Sequence, residues 1–156
     1  GVPLVINDHW DVALEVGAEL CHLGQEDFFD AGLTHVSQLP GEGRRPLVGL
    51  STHAPEQAGR AVAAGAAYVA VGPVFATPTK PGRPPVTLEY VRWAAAHLRV
   101  PWFAIGGITL ENLEAVLAAG ARRVCVVSAI LGAADVAGAC QAFRRRLVSR
   151  AFETEG

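Results

Sequence analysis

The chain has 156 residues, 51% of them hydrophobic and 18% charged, with a formal net charge of −2. That balance excludes a disordered chain and argues against a partner held mainly by charge, such as bulk nucleic acid. Its three cysteines, Cys21, Cys125 and Cys140, fit neither a zinc spacing nor a disulfide framework and read as reduced thiols of a cytoplasmic protein, and no apolar run is long enough to span a membrane.

From the N-terminus, residues 2–6 form a short apolar strand ending in Asn7-Asp8. Helical spacing of Trp10, Ala13, Leu14 and Gly17 predicts a helix over 9–17. The next strand, 18–23, ends in Gly24-Gln25-Glu26-Asp27. Residues 28–39 read as a helix broken by Gly32, and 40–43 as a turn. Residues 46–50 are a strand ending in Ser51-Thr52-His53, followed by an Ala-rich helix over 55–65. The strand 68–71 ends in Gly72-Pro73 and releases a loop that carries Thr77, Thr79 and Lys80. A helix over 86–98 and a strand over 101–105, ending in Gly106-Gly107, come next. Thr109 is placed to cap a helix that Gly120 stops. A strand over 123–127 ends in Ser128, and a closing helix runs from 133 to about 149.

Strand, polar loop and helix thus recur about six times in what reads as one domain. Continuous apolar strands alternating with amphipathic helices predict an α/β fold with a parallel sheet covered by helices. A parallel sheet puts every strand's carboxyl end at one rim. Asp8, Asp27, Ser51, Thr77, Thr79, Lys80, Gly107 and Ser128 are therefore expected to converge, and that rim is where such folds keep their chemistry.

The residue types at the rim narrow the chemistry. Two hydroxyls beside an ammonium, Thr77, Thr79 and Lys80, suit a phosphate or diphosphate. Asp8 and Asp27, with Asn7 and Gln25 nearby, suit a hard divalent cation such as Mg²⁺. Each aspartate also precedes a helix, where it could serve as a cap, so both readings stand. Gly106-Gly107 lets backbone N–H groups approach a phosphate at a helix start, or makes an ordinary tight turn. His53, at a strand end, could shuttle a proton or donate to a phosphate. His22 is expected to be packed within its strand, and His9, His35 and His97 to lie at the surface. No Cys/His cluster offers a zinc site. The basic run Arg144 to Arg146 reads as a solvated helix face.

Six blocks now carry a resemblance: Ile6-Asn7-Asp8, His22-Leu23-Gly24-Gln25-Glu26-Asp27, Gly49-Leu50-Ser51-Thr52-His53, Gly72-Pro73-Val74-Phe75-Ala76-Thr77-Pro78-Thr79-Lys80, Ala104-Ile105-Gly106-Gly107-Ile108 and Val127-Ser128-Ala129-Ile130. Their order resembles that of the thiamine phosphate synthases. The resemblance implies a TIM-type (β/α)8 barrel that joins a pyrimidine diphosphate to a thiazole phosphate and releases diphosphate. By the same resemblance Asp8 and Asp27 hold Mg²⁺. Asn7, Ser51 and Lys80 contact the pyrimidine diphosphate, with Lys80 and Ser51 taking part in catalysis. Thr77, Thr79, Gly107, Val127 and Ser128 hold the thiazole phosphate, the last three largely through backbone.

In that family the Asn-Asp strand is the third of eight, whereas here it is the first. The first two βα units, with their Gln-x-Arg-x-Lys strand, have no counterpart. An incomplete barrel of six units, truncated at its N-terminus, is therefore expected, with open sheet edges that a second copy or a partner chain would cover. Two other functions fit parts of the pattern. A thiazole tautomerase of the same barrel would use His53 and need no Mg²⁺. A non-catalytic module would retain only thiazole phosphate binding.

Overall fold

In the computed structural model, residues 1–77 and 84–153 are described. The strands are β1 (Val5–Asn7), β2 (Leu20–Leu23), β3 (Leu47–Thr52), β4 (Tyr68–Val71), β5 (Trp102–Ile105) and β6 (Val124–Cys125). The helices are α1 (Trp10–Glu15), α2 (Gln25–Phe28), α3 (Pro55–Ala63), α4 (Thr87–His97), α5 (Leu113–Ala118), α6 (Ser128–Leu131) and α7 (Val136–Glu153). The strand order is the chain order, β1-β2-β3-β4-β5-β6. The fold is thus the α/β architecture of parallel strands and intervening helices that the sequence predicts.

The chain divides into two compact units. One comprises Gly1–Ala70 and Arg99–Pro101, the other Val71–Leu98 and Trp102–Gly156.

In the first unit, β1, β2 and β3 pair in parallel, with Asn7 opposite His22 and His22 opposite Gly49. The core holds Ala13, Cys21, Leu23, Phe28, Leu50, Ala58, Ala61 and Val69. Burying Phe28 completely is worth about 2–3 kcal/mol. Pro55 starts α3, where its fixed φ and missing N–H cost nothing. Trp10 donates its indole N–H to Pro40 O at 2.7 Å, and the Arg45 guanidinium lies over its ring. Arg45 also reaches the carbonyls of Val36, Ser37 and Leu39, which pins the irregular connection into β3.

That connection corrects the helix expected over 28–39. The helix α2 stops at Phe28, Gly32 sits at φ +86°, and a single 3-10 turn covers Val36–Gln38. The reason is local competition. The Gln38 side chain accepts from the backbone N–H groups of Thr34 and His35 and so takes donors that a helix would need.

In the second unit, β5 and β6 pair in parallel, with Ala104 opposite Val124. Val71, Val74, Val91, Ala94, Ala104, Leu113 and Val116 form the core, with Tyr90 and Phe143 beside them. Two helix starts differ from expectation. The helix α5 begins at Leu113, because the Asn112 side chain closes the preceding turn onto Thr109 N–H and Gly107 O, while the Thr109 hydroxyl bonds to the Glu111 carboxylate. The closing stretch is two helices, since Asp135 accepts from Gly138 N–H and sets a new start for α7.

Candidate active site

The carboxyl end of β1 is acidic and tightly turned. Asp8 N–H extends the ladder to His22 O at 2.8 Å, and Asp8 then takes φ +64°. That left-handed conformation is one that Asp and Asn tolerate better than most residues. Asn7 donates its amide N–H to Asp8 Oδ2 at 2.6 Å, which fixes the carboxylate beside the strand end. The two aspartates differ in local role. The N-cap of α1 is His9, which makes no side-chain cap bond, so Asp8 caps nothing. Asp27 sits in the first turn of α2 and accepts from Gly24 N–H at 3.2 Å through Oδ2. Here the capping reading holds for one carboxylate oxygen. Both side chains are exposed.

Negative charge at this end is felt inside the unit. Burial first, then Asp8 and Asp11, push the Cys21 thiol up to about 11. Among the described residues no group of three or more His, Cys, Asp or Glu gathers as a metal site. The oxygen set of Asp8, Asp27 and Asn7 nonetheless fits Mg²⁺ chemically, because Mg²⁺ is commonly bound by one or two carboxylates and completed by water and substrate phosphate.

Ser51, at the carboxyl end of β3, is held from two directions. Its hydroxyl lies 2.9 Å from His22 Nε2, and His22 Nδ1 lies 3.0 Å from the Tyr68 hydroxyl. The His22 and Tyr68 rings stack with centroids 5.5 Å apart. Ser51 O accepts the Gln25 amide N–H at 2.6 Å, and Gln25 Oε1 accepts from Arg60 at 2.7 Å. Arg60 in turn lies 4.0 Å over the Phe29 ring. Gln25 is therefore engaged at both ends of its amide and supports Ser51, rather than standing beside the carboxylates as a further metal donor. His53, heading α3, donates its N–H to Gln57 Oε1.

The His22–Ser51–Tyr68 arrangement was not expected from the residue pattern. His22 is packed against Tyr68 as expected, and it also bonds through both ring nitrogens. A signal for it exists in the sequence: Gly49 interrupts a strand of branched apolar residues two positions before Ser51. Glycine inside a strand marks a close approach. A Cβ at residue 49 would stand 2.0 Å from Tyr68 Cζ, so Tyr68 reaches His22 through the space that Gly49 leaves empty.

In the second unit the peptide Gly72-Pro73 is cis, Val74 N–H donates to Ile105 O, and Phe75 N–H donates to Gly106 O. These bonds bring the loop that leaves β4 onto the turn that leaves β5. Gly107 takes φ +64°, and a Cβ there would stand 2.6 Å from Ala76 O. Only glycine gives both that backbone and that clearance. Thr77 is the last described residue of the loop, while Thr79 and Lys80 lie outside the described residues. Val127, 46% exposed, is the N-cap of α6, and Ser128 is its first residue. Ser128 therefore opens a helix rather than ending a strand, since β6 stops at Cys125.

Parallel strands in chain order with intervening helices define a TIM-type α/β fold, the class of an enzyme barrel. The family model described as "Thiamine monophosphate synthase" matches residues 1–130. The chain belongs to the thiamine monophosphate synthase family, a group of transferases in thiamine biosynthesis.

Its similarity to individual proteins is high. It is 54% identical over 151 residues to the thiamine-phosphate synthase of Thermus thermophilus, covering 94% of this chain and 68% of that protein. It is 52% identical to the thiamine-phosphate synthase of Gloeobacter violaceus, covering 94% of this chain and 42% of the longer relative. Among solved structures it resembles the thiamine phosphate pyrophosphorylase of Pyrococcus furiosus. That match has a TM-score of 0.77 and 30% identity, and it covers 94% of this chain and 67% of the other. Among the described residues no helix is long and apolar enough to cross a membrane.

Proposed function

We propose that the chain carries the joining of a hydroxymethylpyrimidine diphosphate to a thiazole phosphate, with release of diphosphate. The observation that carries this reading is the ordered set of strand-end blocks, with Asn7 and Asp8 fixed at β1, Ser51 held at β3 and Gly107 cleared of side chain after β5.

The chemistry asks little of an acid or base. The bond between the pyrimidine methylene carbon and the diphosphate oxygen breaks heterolytically, and the electron pair leaves with the diphosphate. The ring stabilises the resulting cation, and the thiazole nitrogen then supplies the pair for the new C–N bond. Catalysis therefore consists of stabilising the departing anion and positioning the nucleophile. Asn7 and Ser51 donate to the diphosphate, and Lys80 adds a positive charge. Thr77, Thr79, Gly107, Val127 and Ser128 hold the thiazole phosphate. Asp8 and Asp27 would hold Mg²⁺, which when bound supplies charge neutralisation for the diphosphate. The unpaired cysteines, Cys21, Cys125 and Cys140, accord with a cytoplasmic setting.

Incubating the chain with both substrates and Mg²⁺ tests the proposal. Thiamine phosphate and free diphosphate, followed by ³¹P NMR, are the expected products. Binding of thiazole phosphate with no product would make the chain a binding module. Conversion of a thiazole phosphate isomer without Mg²⁺ would make it a tautomerase.

A further inference from the structure

We propose that Arg60 is a positioning residue: it orients the Gln25 amide, which holds Ser51 in strand beyond the end of β2 and so keeps the Ser51 hydroxyl set toward a diphosphate oxygen. This rests on the reading of Ser51 as a diphosphate ligand.

The register of β2 and β3 shows what Gln25 replaces. Leu20 stands opposite Leu47, and Leu47 N–H donates to Glu19 O at 2.9 Å. In a parallel ladder residues 47, 49 and 51 therefore turn their peptide groups toward β2. The same register assigns Ser51 O to the backbone N–H of residue 25. Yet β2 ends at Leu23, and residue 25 begins α2. The side chain of that same residue fills the place, since Gln25 Nε2 donates to Ser51 O at 2.6 Å. A side chain thus adds one rung to the ladder. It lets β3 run on to Thr52 while the chain after β2 bends away to carry Asp27.

Arg60 decides which way this rung faces. An amide has a donating and an accepting end and could turn either one toward Ser51. A guanidinium only donates, and a peptide carbonyl only accepts. Arg60 donates to Gln25 Oε1 at 2.7 Å, so the amide oxygen faces α3 and the NH2 faces Ser51 O. Reversal would set two donors together at Arg60 and two acceptors together at Ser51. Gln25 is buried, which shields this arrangement from water. Arg60 is itself placed by the Phe29 ring at the end of α2, whose centroid lies 4.0 Å from the guanidinium carbon. The series Arg60, Gln25, Ser51 O therefore fixes the backbone from which the Ser51 hydroxyl projects.

Two measurements test this. ¹⁵N NMR of the full chain reads the Gln25 side-chain amide, identified by its loss in Gln25→Met, and needs no activity. One of its protons should exchange slowly with solvent. Arg60→Met, which keeps an apolar stem beside Phe29, should speed that exchange about tenfold, the worth of one hydrogen bond. Arg60→Lys should stay within about threefold of the parent, because an ammonium also only donates. Unchanged protection in Arg60→Met would overturn the proposal, as would equal losses in the two variants. Calorimetry with inorganic diphosphate and Mg²⁺ reads the consequence. Arg60→Met and Gln25→Met should each weaken binding by about three- to tenfold, up to the worth of one hydrogen bond. Arg60→Met added to Ser51→Ala should cost nothing further. A further loss there would mean that the Arg60 charge acts on the anion directly and would overturn the proposal, as would unchanged binding in Arg60→Met. Unchanged binding in Ser51→Ala would overturn the reading of Ser51 as a ligand and with it the functional role of Arg60. A failed synthase assay with these binding and NMR results intact would count against the proposed reaction alone. Thermal melts identify any variant that fails to fold, and the two Arg60 variants carry the test if Gln25→Met does.

Discussion

Gly49 and Tyr68 share one volume. The phenol ring lies where a side chain on residue 49 would stand, with its Cζ 2.0 Å and its Cε1 2.3 Å from the position of such a Cβ. Gly49→Ala should therefore drive Tyr68 out of its stack on His22. The expected destabilisation is about 1–3 kcal/mol, typical of forced overpacking. Denaturant unfolding should show it, and Tyr68→Ala in the same background should recover part of the loss.

Gly107→Ala places a methyl group against Ala76 O at 2.6 Å on a backbone at φ +64°. The loop after β4 and the turn after β5 cannot then keep their contact. A stability loss of more than about 1 kcal/mol is expected from the backbone conformation alone. Thiazole phosphate binding, read by calorimetry, should weaken in the same variant. Full-strength binding would exclude Gly107 from that ligand's site.

Lys80→Ala should lower turnover by on the order of 3 kcal/mol of transition-state stabilisation, about the worth of one electrostatic donor to a departing anion. The substrate KM should change much less than kcat. Steady-state kinetics with both substrates decides it, and unchanged turnover would reject the role.

Cys21 links the acidic strand end to stability at high pH. Its thiol is pushed up to about 11, so the folded state keeps a proton that the unfolded state gives up at ordinary thiol values. That contribution is complete below the ordinary thiol pKa. It should fade as pH rises from about 9 through 11, by on the order of 1 kcal/mol after allowing for solvent screening. Asp8→Asn removes one of the charges responsible and should bring the thiol pKa down, as ultraviolet titration of the thiolate would read. An unmoved pKa would show that burial alone is at work.

Gln25→Ala would remove the partner of Ser51 O and of one Arg60 N–H together. Losing a hydrogen bond to this half-buried carbonyl costs about 0.5–1.5 kcal/mol. Chemical denaturation should show that loss. A change below about 0.5 kcal/mol would mean that water replaces the amide without penalty.

Periodicity made the parallel α/β plan legible, because β2, β3 and β4 are short apolar runs that each end in a polar or Gly-Pro break. The boundaries were less so. Gln38, Asn112 and Asp135 each redirect a backbone N–H with a side chain, and such short-range competition leaves no periodic trace. The two aspartates look alike in sequence, yet only Asp27 caps a helix. What separates them is the left-handed turn at Asp8, a tertiary property. The support for Ser51 was hidden for another reason. His22, Gly49 and Tyr68 are brought together by strand pairing, and only the glycine hints at it in one dimension.

Residues 72, 106 and 107 leave no room for any side chain, since a methyl group at each would strike Ile105 O, Pro73 or Ala76 O. At these three positions the chain consequently presents only peptide groups. A ligand resting on this bend would therefore meet backbone amides whose positions do not depend on any rotamer of residues 72, 106 or 107.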